Sequence, residues 1–177
     1  RMYYFPFDLP VANDAAGYFW YANDLAILGT FPSEFESSFT RSEFPNNGWP
    51  SFLSIFFAIS DSSSYLDYHN IQRFLGVVIS TFTIIPIYLL AQKFLERPIA
   101  LLSAALFIFS PRLIESSLLG TTETPFLFLG ITSLYLFLSN KYRNILFAFL
   151  IAGLFALVRY EGLLIIIPFP FRKEGIL

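Results

Sequence analysis

The stretch "FLGVVISTFTIIPIYLLAQ" covers Phe74–Gln92 and contains no charged residue. A transmembrane helix needs about 20 consecutive apolar residues, because the hydrocarbon core of a bilayer is about 30 Å thick. We therefore expect a helix over residues 72–92 to cross a membrane.

Four further uncharged runs follow this one. They predict helices over residues 98–114, 124–139, 144–158 and 162–171. Several are shorter than a full span, so neighbouring helices and snorkelling charges would have to compensate. Apolar residues make up 55% of the chain and charged residues 14%, against about 25% charged in soluble domains. Five such runs exceed the core of a soluble domain of this length, and the predicted fold is an all-α polytopic transmembrane helical bundle.

The loop charges indicate the topology. Cytoplasmic loops carry an excess of Lys and Arg, and three connections qualify: Lys93 with Arg97, Lys141 with Arg143, and Arg172 with Lys173. The alternate connections, 1–70, 112–124 and 159–162, would then lie outside. Residues 145–171 leave two possibilities open, a hairpin or one long helix with Arg159 and Glu161 midway.

Residues 1–70 are predicted to form a large external loop. This region holds eight acidic and two basic residues, whereas residues 71–177 hold five and nine. We expect two interfacial helices in it, Ala12–Gly29 and Trp49–Ser60, because Trp and Phe favour the headgroup level. Asn13 is a good N-cap, which places Asp14 in the first turn of its helix.

Several functional classes are excluded or disfavoured. The chain has no cysteine, so it forms no disulfide and has no thiolate metal site or Cys nucleophile. No basic face indicates a nucleic-acid partner. His69 is the single histidine, which argues against a histidine-based metal site.

The external loop resembles the GT-C superfamily of membrane glycosyltransferases. In that superfamily an acid opens a short external helix with the pattern Asp-x-x-x-Tyr, then Ala, then a Gly about fifteen residues after the Asp. The corresponding residues here are Asp14, Tyr18, Ala22 and Gly29.

The resemblance continues along the membrane region. An Arg enters the first span at Arg73, and the next helix ends in Ser110–Pro111. A second external loop carries an acid before the following span, here Glu123. The segment "ALVRYEGLLIIIP" (156–168) resembles an Ala-x-x-Arg-Pro-Glu-Gly pattern, with Tyr160 in place of Pro.

The resemblance implies an integral membrane glycosyltransferase of the protein O-mannosyltransferase, aminoarabinose transferase or oligosaccharyltransferase kind. Such an enzyme moves a sugar from a polyprenyl-phosphate donor to a protein, lipid or glycan acceptor, with inversion, on the external side of the cell membrane. By resemblance Asp14 and Glu123 are catalytic. The implied substrate-binding residues are Tyr18, Arg73, Arg159 and Glu161.

The same two acids are also candidate ligands of a divalent cation, Mg or Mn; otherwise no cofactor is expected. Two departures weaken individual parallels. Ala15 stands where many relatives have a second acid, and Trp49–Pro50 stands where aminoarabinose transferases have Lys–Pro. Family members have more helices, so we expect this chain to be incomplete at both ends and inactive alone.

Each candidate also has a structural interpretation. Asp14 suits a helix N-terminus through the helix dipole, and Glu123 suits a helix start, with Glu115 the alternative acid in that loop. Arg73 suits a snorkelling anchor, and Arg159 with its neighbouring acid suits an ion pair. A different class also fits the composition, a polytopic transporter or non-catalytic membrane scaffold, which would be expected to place polar groups near the bilayer midplane.

Overall fold

The computed structural model describes residues 3, 5–29, 46–60, 64–139 and 141–166. These residues form helices and turns, and no strand lies among them, which confirms the all-α prediction. In chain order the α-helices are α1 (Asp14–Leu28), α2 (Gly48–Ile59), α3 (Tyr65–Phe82), α4 (Ile84–Ala91), α5 (Arg97–Ile108), α6 (Pro111–Leu119), α7 (Glu123–Phe137) and α8 (Tyr142–Val158). A 3-10 helix, Tyr160–Ile166, follows α8.

The two helices expected in the external loop pack against each other and against α3. α1 begins after Asn13, whose side chain makes no capping hydrogen bond. It ends at Gly29, which has a φ of 69° and donates its N–H to the Leu25 carbonyl at 3.1 Å. The shared core consists of Val11, Ala15, Tyr18, Phe19, Tyr21, Ala22, Trp49, Leu53, Phe57 and Leu75. The first two helices are therefore fixed to the membrane region by an aromatic core.

The environment of Trp49 differs from the sequence-based expectation of an interfacial position. Its side chain is only 1% exposed and lies in the core. The exposed apolar residues of α2 are instead Phe52, Ile55, Phe56 and Ile59. Composition does not distinguish an interfacial position from a position in the buried core, because Trp is common in both.

α3 and α4 together form one helical unit over Tyr65–Ala91, in which an 18-residue window has a mean hydropathy of 2.2. Among the described residues this is the one unit that is long and apolar enough to cross a membrane by itself. It begins seven residues before the predicted helix 72–92. Ser64 caps it by accepting the Leu66 N–H at 3.3 Å. The first turns of α3 are polar, so their low hydropathy predicted a loop instead of the start of the helix.

A local break at Thr83 separates α3 from α4. Pro86 lies three residues later and has no N–H to offer the Phe82 carbonyl, which interrupts the helical hydrogen-bond ladder. The Thr83 hydroxyl donates to the Ile79 carbonyl at 2.8 Å, which adds a side-chain hydrogen bond at the end of α3.

The predicted helix 98–114 is wrong in its second half. The helix stops at Ile108, and a second helix, α6, begins at Pro111 with a bend of 49° between them. Pro111 starts α6 because a proline fits the first turn of a helix and ends the helix before it. α6 occupies most of the segment 112–124 that was expected to be a loop. α5 and α6 would make a second span only if the bent pair is taken as one unit.

The end of the described chain resolves the choice between a hairpin and one long helix. α8 ends at Val158, and Arg159 has extended backbone. Ile165 of the 3-10 helix then packs beside Ala148 and Ala152 of α8. The chain therefore turns back along α8 at Arg159, as a hairpin requires. Residues 162–166 are 3-10 rather than α-helical, and 167–171, with Arg172 and Lys173, lie outside the described residues.

On α5 and α8 most buried residues are alanines and most exposed residues are large and apolar, although Phe155 and Val158 near the end of α8 are also buried. Ala100 and Ala104 of α5 are buried, as are Ala148 and Ala152 of α8. The large exposed apolar residues of these helices include Ile99, Leu101, Leu102, Leu106, Leu146, Phe147, Phe149, Leu150, Leu154 and Leu157. Membrane helices associate through small residues spaced four apart, because lipid gives large apolar side chains no reason to turn inward. α7 and α8 have 15 and 17 residues, roughly 22–26 Å, which is short of a full span and suits a locally thinned bilayer.

The contact between α2 and α8 yields a stability prediction. A Cβ at Gly48 would lie 2.7 Å from the Leu157 carbonyl carbon and 2.8 Å from the Val158 nitrogen. Because these are backbone atoms, we expect Gly48→Ala to lower the free energy of unfolding by about 1–3 kcal/mol. Detergent-titration unfolding measures the change.

The matched control is Gly153→Ala. A Cβ at Gly153 meets no heavy atom within 4 Å, and the position is inside α8, where alanine is favoured over glycine by about 0.5–1 kcal/mol. Equal stabilities of the two variants would contradict the close approach of α2 to α8.

Candidate functional site

Asp14 lies at the first position of α1. It is exposed. Val11, three residues before it, and Ala15, directly after it, are buried in the core. The buried neighbours fix the helix start, and the helix dipole favours a negative charge there. The carboxylate is thus held by a rigid helix but remains accessible.

Tyr18 connects the start of α1 to two other segments. Its side chain is buried and hydrogen-bonds with the side chains of Thr122 and Asn46, and the charges of Asp14 and Arg159 act on it. Burial is the main cause that raises the pKa of the Tyr18 hydroxyl. The hydroxyl therefore stays neutral at physiological pH and can donate a hydrogen bond.

Glu123 begins α7, immediately after Thr122. Its Oε2 accepts a hydrogen bond from the Ser116 hydroxyl of α6, and its Oε1 lies 4.0 Å from Nη2 of Arg112. The Arg112 side chain is 85% exposed, so this ion pair contributes little. Glu115, the alternative acid in this region, is exposed on α6.

Arg159 and Glu161 flank the point where the chain reverses. Arg159 Nη2 donates to Glu161 Oε1 at 3.1 Å, and the guanidinium lies 5.4 Å from the centre of the Phe126 ring. The hydrogen bond to Glu161 raises the pKa of Arg159, and the backbone N–H of Glu161 together with Arg159 lowers the pKa of the Glu161 carboxyl. The Tyr160 N–H donates to Asn46 Oδ1 at 3.0 Å.

These contacts place five of the six predicted site residues in one neighbourhood. Tyr18 interacts with Asp14 and Arg159, and the charges of Arg159 and Glu123 interact. The site draws on the start of α1, residue 46, the α6–α7 turn and the end of α8. The roles of the individual residues remain predictions.

Arg73 is the predicted site residue that lies elsewhere. Its side chain is 3% exposed, and its guanidinium donates to the carbonyls of Pro6 at 2.7 Å, of Pro10 at 2.8 Å and of Leu9. Arg73 therefore holds the segment that leads into α1. The geometry gives no support to its predicted role in binding a donor phosphate.

Sequence reasoning missed Asn46, Thr122 and Ser116. They are small polar residues in loops or at helix ends, and such residues are common in turns for purely local reasons. Ser116 and Thr122 lie near Glu123 in sequence and could have been proposed as its neighbours. Nothing in the sequence connects Asn46 to Tyr18.

An apolar groove of about 480 Å³ lies beside this cluster. It is bounded by α2, α3, α7 and α8, and its apolar lining includes Trp49, Phe52, Ile55, Ile79, Pro125, Phe128, Leu129, Leu154, Leu157 and Val158. Asn47 and Val158, which adjoin Asn46 and Arg159 in the chain, also line it. One part of the groove therefore lies next to the charged cluster, and the remainder is apolar.

The protein offers few ligands for a metal ion near this cluster. In the part of the chain that the structure describes, no three or more His, Asp or Glu side chains are grouped to hold an ion. Asp14 and Glu123 would offer two carboxylates, and Mg²⁺ is commonly bound by one or two carboxylates together with waters and substrate phosphates. A divalent cation held by these two acids stays a prediction.

The sequence of this chain matches one protein-family model. The model of the dolichyl-phosphate-mannose-protein mannosyltransferase family matches residues 50–171, about two thirds of the chain. No curated protein and no solved structure matches. The matched region contains Glu123, Arg159 and Glu161, whereas Asp14 and Tyr18 precede it. The chain therefore belongs to the dolichyl-phosphate-mannose-protein mannosyltransferase family, whose members are multi-pass membrane glycosyltransferases that use a lipid-linked sugar donor.

Proposed function

We propose that the protein transfers mannose from a dolichyl-phosphate donor to a hydroxyl group of a protein acceptor at the external face of the cell membrane. One observation carries the proposal. Asp14, Tyr18, Glu123 and Arg159 come from distant parts of the sequence and share one neighbourhood beside the apolar groove.

The groove and Arg159 suit the two ends of such a donor. An isoprenoid chain is apolar and matches the lining of Phe52, Ile55, Phe128 and Leu154. Its phosphate would then lie at the end of the groove next to Arg159. A guanidinium has five N–H donors in a fixed fork that matches phosphate oxygens, and Glu161 accepts from one of its terminal nitrogens.

Asp14 is proposed as the general base. The carboxylate takes the proton of the acceptor hydroxyl while the hydroxyl oxygen attacks the anomeric carbon of mannose. The bond from that carbon to the phosphate oxygen breaks, and its electron pair leaves with the dolichyl phosphate. A single displacement of this kind inverts the anomeric centre. Arg159 stabilises the charge that develops on the leaving phosphate.

Tyr18 and Glu123 are proposed to orient the reactants. The neutral Tyr18 hydroxyl is already positioned by Thr122 and Asn46, so it would present a fixed hydrogen-bonding group to the sugar. Glu123, fixed by Ser116, would accept a hydrogen bond from the acceptor or the sugar. Glu161 holds the guanidinium of Arg159 in place.

A transfer assay tests the function. The full-length protein, in lipid vesicles, receives dolichyl-phosphate-linked radioactive mannose and a Ser/Thr-containing peptide. We expect label in the peptide, and little when glucose replaces mannose in the donor. Label in a lipid acceptor and none in the peptide would refute the protein acceptor.

The sidedness of the site is tested by chemical labelling. Because the chain has no cysteine, single cysteines at two exposed positions, Glu115→Cys on α6 and Lys141→Cys before α8, can be labelled separately. In intact cells an impermeant maleimide is expected to react with Glu115→Cys, and with Lys141→Cys only after permeabilisation. The reverse pattern would place the site on the cytoplasmic side.

A further inference from the structure

One buried carbonyl, that of Gly120, joins three parts of the fold. Trp49 of α2 donates its Nε1–H to this oxygen at 3.3 Å, and Gln72 of α3 donates from Nε2 at 2.9 Å. Gly120 ends α6 and lies three residues before Glu123. The turn that leads to Glu123 is therefore held from two neighbouring helices.

The same Gln72 nitrogen also bonds the backbone next to Asp14. Nε2 donates to the Ala15 carbonyl at 3.0 Å. A single amide group thus links the first turn of α1 to the turn before α7. Ala15 is 1% exposed and Gln72 is fully buried, so water does not compete for these hydrogen bonds.

The backbone around Gln72 leaves this side chain little freedom. Gly120 has a φ of +73°, and a Cβ there would lie 3.0 Å from Gln72 Cγ. One turn further along α3, a Cβ at Gly76 would lie 2.9 Å from the Ser117 carbonyl oxygen. α3 is therefore in close backbone contact with the end of α6, and the amide is confined between two fixed carbonyls.

Gln72 does not satisfy its own hydrogen-bonding capacity. Among the described residues its buried Oε1 has no hydrogen-bond partner. A buried polar atom without a partner is unfavourable, and an apolar side chain of the same size would avoid that cost. Local packing alone would favour an apolar side chain at this position, so we attribute the amide to the two carbonyls, of Ala15 and Gly120, to which its nitrogen donates.

We propose that Gln72 is a positioning residue that sets the separation of Asp14 and Glu123. This inference rests on the proposed function, in which both acids act on one pair of substrates. A displacement of about 1 Å between catalytic groups can lower a rate about a hundredfold, so a rigid link between the two acid-bearing segments has a direct catalytic consequence.

The first test compares Gln72→Met with Gln72→Asn. Methionine has similar size and no donor, and asparagine retains an amide that is one methylene too short to bridge both carbonyls. We expect kcat for mannosyl transfer to fall about 10–100-fold in both variants, with KM for the donor within about threefold of wild type. A kcat close to wild type in either variant would overturn the proposal.

The matched control is Ser133→Ala on α7. Ser133 is fully buried and its hydroxyl donates to the Ala148 carbonyl at 3.0 Å, so the variant also removes a buried side-chain-to-backbone bond, but away from the site. We expect a comparable loss of thermal stability and an unchanged kcat. If kcat in both positions simply followed thermal stability, Gln72 would be a structural residue only.

A distance measurement separates this proposal from the proposed function. Spin labels at two exposed positions, Ala12→Cys and Glu115→Cys, report the separation of the α1 start from α6. The distribution is expected to broaden in Gln72→Met and to stay unchanged in Ser133→Ala. Unchanged distributions in both would refute the positioning role. If the wild-type protein had no transferase activity while Gln72→Met still broadened the distance distribution, only the proposed function would be refuted.

Discussion

Replacing Asp14 with asparagine is expected to lower the rate of mannosyl transfer by about 10²–10⁴-fold. A general base contributes a factor of this order, and an amide cannot take the proton of the acceptor hydroxyl. The change preserves the shape of the side chain. Because Asp14 is exposed at a helix start, we expect little loss of stability. Single-turnover transfer from radiolabelled dolichyl-phosphate mannose measures the rate.

Asp24 provides the matched control on the same helix. It lies ten residues later in α1, about 15 Å along the helix axis, and burial raises the pKa of its carboxyl. Asp24→Asn is expected to change the transfer rate by less than about threefold. A similar loss in both variants would indicate that net negative charge on α1 matters, and a wild-type rate in Asp14→Asn would end its role as the base.

The helices were predictable from sequence because lipid-facing segments combine length with a lack of charge. A hydropathy pattern does not show where a helix is interrupted. The interruptions at Thr83 and at Phe109–Ser110 lie inside apolar runs, and a hydropathy pattern does not register the missing N–H groups of Pro86 and Pro111. The polar first turns of α3 were missed for the opposite reason. The helix continues through them, but their hydropathy is too low to indicate a membrane span.

The site was predictable only as a set of residue types. Asp14 and Glu123 were selected by resemblance to a family pattern, and the geometry brings their neighbourhoods together through Tyr18 and Thr122. Arg73 matched the same pattern, yet its guanidinium bonds three backbone carbonyls. A sequence specifies the presence of a guanidinium, whereas its partners depend on contacts across more than sixty residues.

Arg159 is expected to be as important for the transfer as Asp14. We predict that Arg159→Gln lowers kcat/KM for the lipid-linked donor by about 10²–10³-fold, since the loss of one preorganised donor to developing negative charge costs this much. Arg159→Lys is expected to recover only part of the loss, because an ammonium cannot replace the bidentate fork. Initial rates against donor concentration give the values.

Arg112 is the control that isolates the effect of position. Like Arg159 it lies near Glu123, but its side chain is 85% exposed and 4.0 Å from that carboxylate, whereas the Arg159 side chain is 34% exposed and stacks over Phe126. Arg112→Gln is expected to change kcat/KM by less than about threefold, because exposed charges are screened. If Arg112→Gln and Arg159→Gln were equally impaired, general attraction of an anionic lipid would explain the result.

Glu161 distinguishes phosphate binding by Arg159 from a purely structural ion pair. Its carboxylate holds Arg159 Nη2 at 3.1 Å, and both side chains are about one third exposed, so the pair itself is expected to add less than about 1 kcal/mol to stability. If the pair were only structural, Glu161→Gln and Arg159→Gln would have the same small effect on unfolding and on transfer. If Arg159 binds the leaving phosphate, Glu161→Gln retains the guanidinium and loses only its orientation. We therefore expect kcat/KM to fall by about tenfold in Glu161→Gln, well short of the loss in Arg159→Gln, and equal losses in the two variants would refute a direct role of Arg159 at the phosphate.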